Sequence, residues 1–198
     1  MGEPFLHIPV KLITGLLSPK LSGFTDARTY LEKKFGQIDN ESRVFNFSCT
    51  SYYEKEFGGD LKRKFFSFKK LARLNGNYRV KLYTNSVEKK LAKKKSATID
   101  SVDLNRISGG QYGRALPGRT VNIDPGYVSL SKMVLFTTKN RSHRIYIDGG
   151  IYADLEFQFV KKSFRALPWT YPDYRTREYI DFFNSVRKIY LGQVERYI

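Results

Sequence analysis

The chain has 198 residues, 35 of them Lys or Arg against 19 Asp or Glu, for a formal net charge of +16. With 41% hydrophobic and 15% aromatic residues it can build an ordinary core, which excludes a mostly disordered chain. Its longest apolar stretches are a few residues, such as 133–136, far short of the ~20 needed to cross a bilayer, and Glu3, Pro4 and Pro9 stand where a secretory signal needs another pattern, so a cytoplasmic protein with no membrane partner is expected.

Residues 10–17 (VKLITGLL) suit a buried strand, which Ser18, Pro19, Ser22 and Gly23 end. Thr25 can cap a helix whose Ala27, Tyr30, Leu31 and Phe35 fall at helical spacing, with Gly36 placed to end it. Over 43–49, Phe45, Phe47 and Cys49 alternate with Val44, Asn46 and Ser48, a strand with one face inward. Cys49, the one cysteine, excludes an internal disulfide and is expected to be a small buried side chain. After a polar loop over 51–60, residues 61–68 read as another strand. Asn85, with Glu88 three residues on, caps a helix through Val87 and Leu91 into Lys93, Lys94 and Lys95.

Residues 96–118 hold Gly109, Gly110, Gly113, Pro117 and Gly118 without periodicity, and are expected to connect two lobes, roughly 10–95 and 119–198, of a single domain spanning 1–198. The second lobe restarts with a strand over 119–123, broken by Asp124, Pro125 and Gly126. Residues 128–139 fit both periodicities and are read as helix. Two alternating runs, 142–147 and 151–160, flank Asp148, Gly149 and Gly150 as a hairpin. If both apolar sets reach the core, Ile147 lies opposite Ile151, Ile145 faces Ala153, Tyr146 meets Tyr152, Arg144 meets Asp154 and Ser142 meets Glu156. A last helix, capped near Thr176, carries Tyr179, Phe182, Phe183, Val186, Ile189 and Tyr190 on one stripe. The class expected is α+β: a compact domain of two similar strand-helix-strand-strand-helix halves, mostly antiparallel sheet with helices packed on it.

Several chemistries lack their residues. The stretch 113–120 (GRALPGRT) resembles a phosphate-cradling loop, but Arg119 replaces its Lys and a strand follows where a helix must. Two histidines, His7 and His143, and one cysteine cannot make a Cys and His zinc site. His143 is expected in the core, hydrogen-bonded. Between residues 61 and 95 stand thirteen basic residues and the single acid Glu88, most of the net charge. There Lys62, Arg63 and Lys64 adjoin Phe65, Phe66 and Phe68, which suits either a phosphate-binding and ring-stacking surface for RNA or a solvated face over core rings. Asn122, Asp124, Lys132, Arg144, Asp154 and Glu156 form a second set, able to hold a divalent ion and a phosphate if they converge; otherwise Arg144 and Asp154 are a cross-strand ion pair and Asp124 opens a turn. The rings of 169–175 (WTYPDYR) are expected to cover the core.

The words SYYEKEFG (51–58), LKRKFFSF (61–68), VNIDPGYVSLSKMVLFTTK (121–139), SHRIYIDGGIYADL (142–155) and LPWTYPDYR (167–175) together resemble the uncharacterised prokaryotic domain-of-unknown-function family four-four-one-six. The resemblance runs from Val10 over nearly the whole chain, while 96–118 and the lysine content look peculiar to this sequence. No activity comes with the family; members are sometimes labelled GTP-binding proteins, so the resemblance implies GTP as one ligand. Matching polar positions include Lys62, Arg63, Asn85, Asn122, Asp124, Tyr127, Lys132, Thr138, His143, Arg144, Tyr152, Trp169, Asp173, Tyr174 and Arg175. Three functions are therefore expected in competition. One is binding of a phosphorylated small molecule or RNA through a basic and polar cleft, with Lys62, Arg63, Asn122, Tyr127, Arg144 and Tyr152 as contacts. Another is an enzyme on a phosphate-bearing substrate, with Asp124, Asp154 and Glu156 as acid, base or metal ligands and Lys132 on the phosphate. The last is GTP binding.

Overall fold

All nine residues of the first strand, β1 (Val10–Ser18), are buried, because helices cover both faces of the sheet it centres. The computed structural model describes residues 3, 7–47, 60–98 and 119–195, with the backbone alone at 93–98. After β1 come α1 (Leu21–Phe35), β2 (Ile38–Glu41), β3 (Phe45–Asn46), β4 (Lys62–Ala72) and α2 (Tyr78–Thr98). They are followed by β5 (Asn122–Val128), β6 (Lys132–Thr137), β7 (Arg144–Asp148), β8 (Ile151–Val160), β9 (Ser163–Ala166), a 3-10 turn (Asp173–Arg175) and α3 (Arg177–Val194). The strands form one sheet in the order β2-β4-β1-β5-β6-β8-β7, with β3 also on β4 and β9 on β8, and the pairs are antiparallel. The chain is thus α+β with a mostly antiparallel sheet, as its sequence leads one to expect.

Successive residues of β1 serve opposite faces. Leu12 and Leu16 join Phe66, Phe68 and Ile123 under α1 and α2, where Phe24, Ala27, Leu31, Val87 and Leu91 meet them. Ile13 joins Phe65, Met133, Leu135 and Phe157 under Tyr179, Phe182, Phe183 and Val186 of α3. Each such side chain stabilises the fold by roughly 1.5–3 kcal/mol through burial. Lys11 is tolerated inside because its Nζ donates to Asp39 on β2, to Phe68 O at 3.0 Å and to Gln193 Oε1 of α3 at 2.9 Å.

Several sequence expectations need correction. α1 starts at Leu21, so Thr25 lies within it; Ser18 Oγ accepts the Lys20 N–H in the turn before, and Gly36 at φ 93° ends the helix as read. α2 starts at Tyr78, after the Gly76 turn, which puts Asn85 mid-helix. The strand read over 43–49 is described only as the short β3, and β2 before it was missed because its four residues (IDNE) carry a single apolar side chain. The strand read over 119–123 instead runs through Asp124, Pro125 and Gly126 as β5, since β1 pairs with it along that length. The helix read over 128–139 is the β5–β6 hairpin: Met133, Val134, Leu135 and Phe136 are all buried, which a strand covered on both faces requires and a one-sided helix does not. One helix of the expected two-fold repetition therefore falls away. Cys49, the loop 51–59 and residues 99–118, including most of GRALPGRT, lie outside the described residues.

The β7–β8 hairpin pairs Arg144 with Asp154, Ile145 with Ala153 and Tyr146 with Tyr152 as read, but Asp148, not Ile147, stands opposite Ile151. Its burial follows the expectation at Ile151 and Phe157 and reverses it at Ile145, Asp154 and Glu156. Ile145 is 74% exposed, whereas Asp154 and Glu156 are 1% and 0% exposed. The cause is an extra residue in β8: Met133 faces Phe157 and Val134 faces Leu155, so Glu156 bulges and the alternation changes phase there. Asp154 and Glu156 thereby share the interior side with Phe157, and Ser142 stands in a turn before β7, away from Glu156.

Candidate functional site: a cleft where the sheet parts

Neighbouring strands β5 and β6 are paired only from Gly126–Leu135 to Val128–Met133. Toward the start of β5 the ladder stops beside Pro125, which has no N–H to offer a neighbour. From there Asn122 to Pro125 stay with β1, while Phe136 and Thr137 stay with Ala153 and Tyr152 of β8. Gly126 is needed at the fork, since a Cβ on it would stand 2.2 Å from Val134 O. A cleft of about 360 Å³ occupies the parting, with Asp124 on one bank and Leu135, Phe136 and Thr137 on the other.

Arg63 of β4 lies at its buried side, 3% exposed. Its Nη1 donates to Asp124 Oδ2 at 3.3 Å and its Nη2 to Asp173 Oδ2 at 3.1 Å, and its guanidinium lies over the rings of Phe47, Phe65 and Tyr174. Burial works against this charge, but Tyr174, Asp173 and Asp124 outweigh it and hold Arg63 charged above its ordinary value. Burial likewise pushes Asp124 up, and Lys81, Arg63 and Arg119 outweigh that, keeping its carboxyl below the usual range. Lys81 comes from α2, donating to Ile123 O at 2.8 Å with its Nζ 3.8 Å from Asp124 Oδ1. At Asp173 burial prevails instead and carries its carboxyl above the ordinary value despite Arg63.

Opposite, Arg144 Nε donates to Asp154 Oδ2 at 2.7 Å, Nη2 to Tyr171 Oη at 2.7 Å and Nη1 to Lys139 O at 3.0 Å. His143 Nε2 stands 3.7 Å from Asp154 Oδ1, and that oxygen has no hydrogen-bond partner among the described residues. The imidazole stacks on Trp169, centroids 5.4 Å apart at 13°, while Trp169 Nε1 donates to Leu155 O at 2.7 Å. Thus His143 and Trp169 belong to the cleft and not, as read from the sequence, to a core or its cover. Exposed Lys139 and Arg141 stand at the rim.

Of the residues expected to act, Arg63, Asp124, Arg144 and Asp154 line this cleft together. Asn122 stands behind Asp124, donating to its Oδ2 at 2.6 Å. Glu156 stands behind the loop, where its Oε2 accepts the Tyr171 N–H at 3.3 Å; burial and then Asp154 push its carboxyl up to about 8. Lys62, Tyr127, Lys132 and Tyr152 are not in the lining: Lys62 pairs with Ser18 and Asn46, Tyr127 packs on Phe136, Lys132 is exposed opposite Gln158, and Tyr152 meets Tyr146. Phe65, Phe66 and Phe68 are at most 1% exposed, so the rings beside the basic run are core and offer nothing to stack on. Among the described residues no group of three or more His, Cys, Asp or Glu is arranged to hold a metal ion, and no helix is long and apolar enough to cross a membrane.

Sequence reasoning missed the contributions of Asp173, Tyr171 and Tyr174. One signal was available: Arg63 inside an apolar strand needs buried carboxylates, and WTYPDYR supplies one. Apart from Phe47 and Arg141, the lining is drawn from LKRKFFSF, VNIDPGYVSLSKMVLFTTK, SHRIYIDGGIYADL and LPWTYPDYR. No curated protein and no solved structure matches the chain. A family match covers residues 8–190, and by it the chain belongs to the domain of unknown function family DUF4416.

Proposed function

We propose that the cleft binds a small phosphorylated molecule. The observation that carries this reading is the meeting of Arg63, Arg144, Lys139 and Arg141 with aromatic walls in one concavity of about 360 Å³, a size that suits a small ligand. RNA is the weaker occupant, because the rings of the basic run are in the core and the concavity is short. The two inner arginines are bound to carboxylates, so the phosphate is assigned to Arg141 at the rim.

Calorimetric titration with inorganic phosphate and simple phosphate esters tests it. Binding that weakens with salt and drops at least about tenfold in Arg141→Ala is expected. Absence of binding by all of them, or tight binding of a short single-stranded RNA alone, defeats the reading. An enzyme on the same substrates is a second reading, favoured by His143 beside Asp154. Phosphorus NMR of the same mixtures reports it as a new inorganic phosphate signal, absent with His143→Ala.

A further inference from the structure

The antiparallel pairings bring the end of β4, the start of β6 and the turn after β8 to one end of the sheet, since Ala72 faces Val10, Val128 faces Lys11 and Met133, and Val160 faces Ser163. The cleft stands at the other end, where Leu17 faces Asn122 and Arg63. Lys33 and Lys34, in the last turn of α1, lie beside Lys69 and Lys70 of β4: the Lys69 N–H donates to Gln37 O at 2.8 Å, and a Cβ on Gly36 would stand 3.6 Å from Lys70 Cβ. Farther along, Lys132 opens β6, and Lys161 and Lys162 make the β8–β9 turn, tied to it by the Phe159 N–H donating to Ser131 O at 2.8 Å.

These lysines are exposed, and none makes an ion pair among the described residues. Of the acids nearby, Glu32 already accepts from Arg28 and the Ile38 N–H, Asp39 accepts from Lys11 and Ser67, and Glu195 ends α3. Cations toward the cleft end are paired instead, as Arg63, Lys64, Arg119 and Arg144 show. Like charges gathered without counter-charges raise the energy of the folded chain, and a polyanion relieves it. From β4 to β8 the strand ends cross four strand spacings, ~19 Å at ~4.8 Å each, which matches about five or six phosphates along one strand of a duplex. The exposed rings Tyr146, Trp169 and Tyr171 stand on the β7–β8 hairpin and at the cleft, so bases find no such ring to stack on here. Val160 is the one large exposed apolar side chain described at this end, too little to enter a lipid surface.

We infer that this end of the sheet docks the phosphate backbone of a nucleic-acid duplex without reading its bases. The surface is separate from the cleft and does not depend on what the cleft binds.

Fluorescence anisotropy on the full chain, with labelled DNA and RNA duplexes longer than this row of lysines, tests it. Binding is expected, and its affinity is expected to fall steeply with salt. Lys33→Gln, Lys70→Gln and Lys132→Gln combined are expected to weaken it at least about tenfold and to lower the slope of log affinity against log salt by about 2 to 3. Lys20→Gln, Lys89→Gln and Lys90→Gln combined remove the same charge from exposed lysines elsewhere, and are expected to weaken it by no more than about threefold. The inference is overturned if neither duplex binds, if binding ignores salt, if the two triple variants weaken it alike, or if phosphatidylserine vesicles are bound in place of the duplexes. A single-stranded RNA of the same length held more tightly than either duplex also overturns it, and that wild-type comparison decides should a variant fail to fold.

Discussion

Glu156 shows how one residue's place in a strand governs its chemistry. As the extra residue of the β8 bulge it is turned inward, where among the described residues its Oε1 finds no partner and its Oε2 accepts only the Tyr171 N–H. Burial, then Asp154, pushes its carboxyl to about 8, above the 4.5 ordinary for Glu. The folded chain therefore holds this proton over a pH range in which the unfolded chain has lost it. Its contribution to stability is complete below the ordinary Glu value and is lost as pH rises through about 8. Glu156→Gln keeps the shape without the charge. Its advantage over wild type in urea unfolding is expected to grow from near nothing at acid pH to the order of a few kcal/mol above pH ~8. An advantage that does not change with pH would show that the carboxyl is ionised throughout.

At the level of elements, the bulge sends the hairpin's apolar face outward and its polar face toward the cleft. β7 is an edge strand, and Ile145 and Tyr146 on it are 74% and 56% exposed. Ile145→Lys is accordingly expected to change unfolding stability by no more than about 0.5 kcal/mol. A loss of several kcal/mol in chemical denaturation would return Ile145 to the core that simple alternation assigns it. The same economy of side chains explains β5: a proline and a glycine, which usually interrupt a strand, here end one ladder while the other continues along β1. The cleft is the result, made by strands that part and not by a loop that closes over them.

Across the molecule, Arg63 is the point where distant parts of the chain depend on one another. It stands on β4 and binds Asp124 of β5 and Asp173 of the 3-10 turn before α3, 61 and 110 residues away. Removing it leaves Asp173, 5% exposed, without its counter-charge. Arg63→Met is expected to destabilise the fold by about 3–5 kcal/mol in urea unfolding, as for other broken buried ion pairs. A loss under about 1 kcal/mol would class the pair with exposed salt bridges and weaken its claim to shape the cleft.

The sequence by itself determined the α+β class, most of the strands, the α3 stripe from Tyr179 to Tyr190, and the facing of Arg144 with Asp154. Such features depend on periodicity and turn chemistry within a few residues, which the chain states directly. Tertiary structure decided which face of each strand is buried, because the β8 bulge changes phase without any sign in the residue pattern. It also decided the site. Arg63, Asp124, Asp154 and Asp173 meet only because the sheet order sets β4 and β5 on either side of β1 and the ladder between β5 and β6 gives out. Long-range pairing of that kind is fixed by the packing of the whole core, and no local stretch of sequence encodes it.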